Sequence, residues 1–293
     1  MRYKASKLEE YSEPISKTEK EQCENAIDMV KDALVNYGYT INKARNNYTT
    51  DGYAYYYELK GSNYSIVTVL VQGSYANNTN IKRYSDVDVS VIYTPIIPVS
   101  LELYFKKYKD EVYLALYKKF GYDVERKNKS IKINGNSYRK SIDVVPAFSL
   151  TKNIEDGIQF LTDDGIKIIN YPLKQISNEN QKNKLTNYKY KRYVRIFKNI
   201  RMDMEDSQFT SAKNIGSFQI ESLLWNIKDE CFTKYSTLGY GVEEIIEYLI
   251  SHKFLLSSYY ESNGVKKLCS DYMTKYYLEK FIDDINKFFE YEL

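Results

Sequence analysis

Apolar residues recur at three- and four-residue spacing over roughly 17–37, where Cys23, Ile27, Val30, Leu34 and Tyr37 form one stripe. That spacing predicts an amphipathic helix. Ser16 and Glu19 stand ahead of it at the separation of a capping box, and Gly38 supplies a stop. A tyrosine-rich stretch (Tyr53, Tyr55, Tyr56, Tyr57) reads as a loop or an irregular strand. The period then changes. Ser65 to Gln72 (SIVTVLVQ) is β-branched and nearly all apolar, as a buried strand should be. Gly73-Ser74 breaks it, and a polar segment with Asn77, Asn78 and Asn80 leads to a second strand, Asp86 to Tyr93, stopped by Pro95 and Pro98. Leu101, Tyr104, Phe105, Tyr108, Val112 and Leu116 predict a helix over about 100–120, ended by Gly121. Two short strands are expected near 130–133 and 140–148, and Pro146 places the second at or near a sheet edge.

Beyond about 160 the spacing turns helical, with helices expected near 186–204, 217–228, 241–252 and 271–291. Strands with a few helices first, then mostly helices, predict an α+β fold class. The chain divides accordingly into a core with its long N-terminal helix over 1–160 and an α-helical lobe over 161–293 that completes a shared cleft.

Composition narrows the options. Apolar residues make up 43% and charged residues 28%, enough for a core and unlike a disordered chain. A net charge of +3 is small for 293 residues. It argues against a surface coated in basic residues for duplex DNA, while leaving room for a local basic patch. The three cysteines, Cys23, Cys231 and Cys269, are far apart. One histidine, His252, and no CxxC spacing exclude a zinc site. With no signal-peptide pattern, a reducing cytoplasm is the expected location. His252 lies in a helical, partly apolar stretch and reads as structural. No apolar run approaches the roughly 18 residues that span a membrane, so a soluble protein is expected. The 32 tyrosines are scattered and read as compositional bias.

The candidate chemistry lies in the strands. Asp86 and Asp88 stand two apart, so a strand projects both from one face. Two carboxylates on one face repel unless a cation compensates, and hard oxygen donors select magnesium or manganese. Asp143 is another acid inside an apolar run, flanked by Ile142, Val144 and Val145. If its strand neighbours the first, three carboxylates converge, the ligand set of a two-metal phosphoryl-transfer site. Gly73 lets backbone approach a ligand closely, and the Ser74 hydroxyl and adjacent amides can bind phosphate. Alone, Gly-Ser is a plain turn and Asp-x-Asp a solvated strand end; their combined order is far more specific. In the helical part Lys191, Arg195, Lys198 and Arg201 recur on one helix face, which taken alone is a solvated stripe.

The run Gly73-Ser74-Tyr75-Ala76-Asn77-Asn78-Thr79-Asn80-Ile81, followed by Ser85-Asp86-Val87-Asp88, resembles the signature of the DNA-polymerase-β-like nucleotidyltransferase superfamily. More narrowly, with Ser141-Ile142-Asp143-Val144-Val145-Pro146, it resembles the bacterial cGAS/DncV-like nucleotidyltransferases of anti-phage signalling. The resemblance covers about 10 to 230. It implies a bilobal polymerase-β-like core, with Asp86, Asp88 and Asp143 as catalytic residues holding two magnesium or manganese ions. It also implies that Gly73 and Ser74 contact a triphosphate. Tyr190 to Arg201 (YKRYVRIFKNIR) resembles the family helix whose lysine reaches the phosphates, which points to Lys198 and, more weakly, Arg195. Gly216-Ser217-Phe218, followed by Glu221 to Asn226, resembles a segment whose serine touches nucleotide. For Ser217 that role is compatible with an N-cap. Trp225 reads as core beside Leu224 and Ile227.

The activity so implied takes ribonucleoside triphosphates of unspecified base and forms a cyclic di- or trinucleotide messenger. A separate effector protein would read the product. The chain lacks the zinc-ribbon insertion of the animal DNA sensor, so activation by duplex DNA is not implied. Two other readings remain open. One is a transferase acting on an antibiotic, a protein hydroxyl or an RNA 3′ end. The other is an inactive nucleotide-binding sensor, which would predict loss of an acid or of the Gly-Ser, and all are present.

Overall fold

A computed structural model describes residues 3–61, 65–82, 86–96 and 100–290. Ser85 of the motif and Pro98, expected above as a strand stop, lie outside the described residues. α1 (Ala5–Ser12) opens the described chain, and α2 (Lys17–Tyr37) matches the expected first long helix. The capping box is formed: the Ser16 N–H donates to Glu19 Oε2 at 3.0 Å, and the Glu19 N–H donates to Ser16 Oγ at 3.2 Å. The predicted stripe is buried through Cys23, Ile27, Val30 and Leu34. Gly38, at φ +127°, ends the helix in a conformation that L side chains rarely adopt.

Among the described residues nine strands make one sheet. β1 (Thr40–Asn47), β2 (Tyr55–Lys60), β3 (Ile66–Gln72) and β4 (Val87–Thr94) pair antiparallel in chain order, with one turn of helix, α3 (Gly73–Ala76), following β3. α4 (Leu101–Phe120), β5 (Val124–Arg126) and β6 (Ile131–Ile133) precede β7 (Ile142–Ser149), which lies parallel beside β4. β5 and β6 extend the sheet beyond β7, and β8 (Ile158–Leu161) and β9 (Lys167–Asn170) extend it from the far end of β7. The tyrosine-rich stretch is therefore strand from Tyr55 onward.

Two expectations in this region are corrected. β7 is an interior strand, paired with β4 on one side and with β6 and β8 on the other. Pro146 is accommodated because the β6 register ends at Val144 and the β8 register begins at Phe148, which leaves 145–147 without a partner on that side. The missing N–H therefore costs no ladder bond there. On α4, Tyr104 is 51% exposed, whereas Lys109 is 1% exposed. Lys109 is buried because its Nζ donates to the carbonyls of Lys127 and Asn128 and to Asp163 Oδ1, at 3.0, 2.9 and 2.7 Å.

The remaining elements are helices: α5 (Pro172–Leu185), α6 (Tyr190–Asp206), α7 (Thr210–Lys213), α8 (Ser217–Trp225), α9 (Asp229–Thr233), α10 (Leu238–Ser251) and α11 (Tyr272–Glu290). α6 starts later than expected because Asn187 and Tyr188 have φ of +50° and +62°, which no right-handed helix contains. The stretch expected as one helix over 217–228 is α8 and the start of a break before α9.

The chain forms two compact units, residues 15–176 and residues 1–14 with 177–293. The expected boundary was 160/161, with the N-terminus in the first lobe. β8 and β9 carry the sheet to or past 160, and Leu173 and Ile176 belong to its core. Leu8 instead packs in the helical core with Phe197, Leu223, Phe232 and Phe281.

Candidate active site

Strand register decides which acids meet. β4 begins at Val87 and β7 at Ile142, and their parallel pairing puts Asp88 opposite Asp143 as the second residue of each strand. Side chains at paired positions of adjacent strands lie on one face, about 4.8 Å apart along the hydrogen-bonding direction. Asp88 is also paired with Gln72 across β3, the residue before Gly73. The sequence expectation that the two acidic strands are neighbours is met.

Gly73 is required here for two reasons. Its φ is +68°, and a Cβ at this position would stand 2.3 Å from Oδ2 of Asp88. Any side chain would therefore displace the carboxylate. The turn that follows is closed by the Thr79 N–H, which donates to the Ser74 carbonyl at 2.9 Å, and by the Asn77 N–H, which donates to the Gly73 carbonyl at 3.2 Å. The polar segment is largely buried: Asn77, Thr79 and Asn80 are at most 1% exposed. The side-chain amides of Asn77 and Asn80 have no hydrogen-bond partner among the described residues.

Asp86 falls immediately before β4, not within it, and its carboxylate is about half exposed. It accepts from Lys132 Nζ at 3.1 Å. That carboxylate, chiefly through the hydrogen bond, holds the Lys132 ammonium above the usual lysine value. Lys132 is the middle residue of β6 and pairs in register with Asp143. Asp143 in turn accepts from Ser130 Oγ at 2.9 Å through Oδ1. Neither Lys132 nor Ser130 was singled out from the sequence. The alternation Ile131-Lys132-Ile133 was the available signal, since it turns the lysine away from the two buried isoleucines.

Asp88 and Asp143 side by side are a hard, all-oxygen donor pair suited to magnesium or manganese. Gly73, having no Cβ, lets the Asp88 carboxylate lie close against its backbone. Asp86 is engaged with Lys132 instead, and among the described residues no three His, Cys, Asp or Glu side chains gather closely enough to hold a metal ion. The donor chemistry of Asp88 and Asp143 fits, and Asp86 is ion-paired with Lys132.

In the helical unit, Lys198 is 1% exposed and its ammonium forms an ion pair with Glu221. Glu221 lies four residues after Ser217 on α8, so the two share a face and Lys198 meets that face one turn from Ser217. Ser217 is the first residue of α8 and Gly216 is the N-cap. The cap position goes to glycine because Gln219 Oε1 accepts the Gly216 N–H at 2.7 Å, and a Cβ on residue 216 would meet that same oxygen. Arg195 is 5% exposed, and its Nε donates to the Ser12 carbonyl at 2.7 Å. Lys191 donates to Asn180 Oδ1, and Arg201 to the Ala212 carbonyl. The basic stripe is thus a set of partnered groups, not a solvated face. Trp225 packs partly buried against the helical core, and His252 stacks on Tyr248 with ring centroids 4.0 Å apart.

Comparison with known proteins bears on both units. A family model described as the cGAS/DncV-like nucleotidyltransferase C-terminal helical domain matches residues 177–290. The cyclic GMP-AMP synthase of Staphylococcus schleiferi is 37% identical, over 99% of this chain and 98% of that one. A cyclic dipyrimidine nucleotide synthase of Cecembia lonarensis is 33% identical, over 91% and 90%. Among solved structures, the cyclic dinucleotide synthase of Elizabethkingia meningoseptica with GTP and Apcpp superposes with a TM-score of 0.78. The two are 28% identical, with 98% of this chain and 99% of that chain covered.

Proposed function

The chain belongs to the bacterial cGAS/DncV-like nucleotidyltransferases, and from that premise we propose that it is a cyclic oligonucleotide synthase. It joins ribonucleoside triphosphates through successive attacks of ribose hydroxyls on α-phosphates, releasing pyrophosphate each time, and the last attack closes a di- or trinucleotide ring. The observation that carries this reading is the parallel register of Asp88 and Asp143 over a glycine whose Cβ would collide with Asp88. That arrangement supports a donor site for a divalent cation.

Asp88 and Asp143, joined by Asp86, would hold magnesium or manganese, which when bound supplies charge neutralisation to the triphosphate and acidity to the attacking hydroxyl. The chain's own groups do the rest. Ser130 fixes the rotation of Asp143 through Oδ1, leaving Oδ2 to accept the proton of the attacking ribose hydroxyl. Gly73 and Ser74 present backbone amides and a hydroxyl to phosphate oxygens. Ser217, Lys198 and, more weakly, Arg195 serve as nucleotide-binding residues of the helical unit, with a triphosphate replacing Glu221 as the partner of Lys198. The S. schleiferi and C. lonarensis relatives are named for a purine and for a pyrimidine product, so base choice varies at this level of identity. We place the activity in cytoplasmic anti-phage signalling, with a separate effector protein reading the product.

The test is incubation with four radiolabelled ribonucleoside triphosphates and Mg²⁺ or Mn²⁺, followed by phosphatase. Phosphatase-resistant label that disappears in Asp88→Asn supports the reading, and omitting one triphosphate at a time names the bases. Label transferred to an added protein, RNA or aminoglycoside, with none in a resistant small product, contradicts it.

A further inference from the structure

Lys132 stands on β6 opposite Asp143. β6 is three residues long. Its alternation buries Ile131 and Ile133 completely and leaves Lys132 in register with Asp143. From there its ammonium reaches Asp86 at 3.1 Å. An ion pair this exposed adds little to stability, so its position matters more than its strength. Of the three candidate aspartates, it ties the one that lies outside the strands, Asp86, to the strand beside Asp143. Asp88 and Asp143 are paired in register, and among the described residues no group of three His, Cys, Asp or Glu that could hold a metal ion is found.

We propose that Lys132 is a positioning residue that serves Asp86 as an internal counter-cation. A divalent cation must displace its ammonium before Asp86 can join Asp88 and Asp143. Lys132 thereby sets the cation concentration at which the three aspartates close into one site. The inference rests on the reading that these aspartates bind divalent cations. The physics is a competition for the same carboxylate oxygen: loss of the ammonium removes both the bond to be broken and a positive charge beside the site. Arginine would keep the charge and grip the carboxylate in a two-pronged fashion, so it should hold more firmly than lysine.

The experiment is a Mn²⁺ titration of the full chain without nucleotide, reading free Mn²⁺ by electron paramagnetic resonance. Lys132→Met is expected to bind Mn²⁺ about two- to fivefold tighter than the unaltered chain, the range of an exposed ion pair. Lys132→Arg is expected to bind more weakly than the unaltered chain. Lys129→Met removes the same charge from an exposed neighbouring position and should shift affinity less than about 1.5-fold, because solvent and salt screen it. The gain from Lys132→Met should vanish in an Asp86→Asn background. Equal shifts from Lys132→Met and Lys129→Met, or a gain that survives Asp86→Asn, would overturn the inference while leaving the metal site standing. Mn²⁺ binding that is indifferent to Asp88→Asn and Asp143→Asn would remove the metal site itself, and the inference with it.

Discussion

Gly73 is where one methyl group tests the geometry. Gly73→Ala sets a Cβ against Asp88 Oδ2 in a left-handed backbone, so the carboxylate must move by an ångström or so. Turnover is expected to fall by about 100-fold, the usual effect of such a displacement at a reacting centre. The accompanying loss of stability, read from urea unfolding, should be only about 1–3 kcal/mol. Asp88→Asn should separate the same two quantities from the other direction. It removes one of two carboxylates held side by side, so thermal unfolding should be unchanged or improved, while turnover drops by about 100- to 1,000-fold. Equal losses of stability and activity in either variant would mean that these residues are there to build the fold.

At the scale of elements, α6 and α8 are joined by a buried charge. Glu221→Gln leaves the Lys198 ammonium, 1% exposed, without its carboxylate, and should cost about 3–5 kcal/mol in urea unfolding. Replacing both, Lys198→Met with Glu221→Leu, should recover most of that loss. What the sequence disclosed about elements follows the same logic of surroundings. α2 was legible to its ends because a capping box, a single apolar stripe and a terminal glycine all agree. β1 was not, because nearly every residue from Thr40 to Asn47 is exposed, so neither face carries an apolar period. α5 was missed because Pro172 to Leu185 is mostly polar, although it buries Glu179 and Lys182. At the candidate site, Asp143 was expected beside Asp88 if their strands were neighbours, and the β4–β7 register pairs them, whereas Asp86, expected on the same strand as Asp88, falls before β4. The Lys132–Asp86 and Lys198–Glu221 pairs were not legible, since each joins residues far apart in the chain.

At the scale of the whole molecule, two cores divide the work. One lies around the sheet and holds the acids, and the other is built of helices and includes α1 from the opposite end of the sequence. Leu8 is completely buried in that second core. Leu8→Ala should destabilise the protein by about 2–5 kcal/mol in urea unfolding, although residue 8 lies far from every proposed site residue in sequence. A cost below about 0.5 kcal/mol would mean that α1 is a dispensable appendage. No helix among the described residues is long and apolar enough to cross a membrane.

On the proposed function, the sheet's acidic pair closes a nucleotide ring. Mass spectrometry of the purified reaction product tests it most directly. The account predicts a species with one phosphate per nucleotide and no terminal phosphate, absent from Asp88→Asn and Asp143→Asn reactions. A product that is only linear and keeps its 5′-triphosphate, or a cyclic product undiminished in those variants, would contradict it.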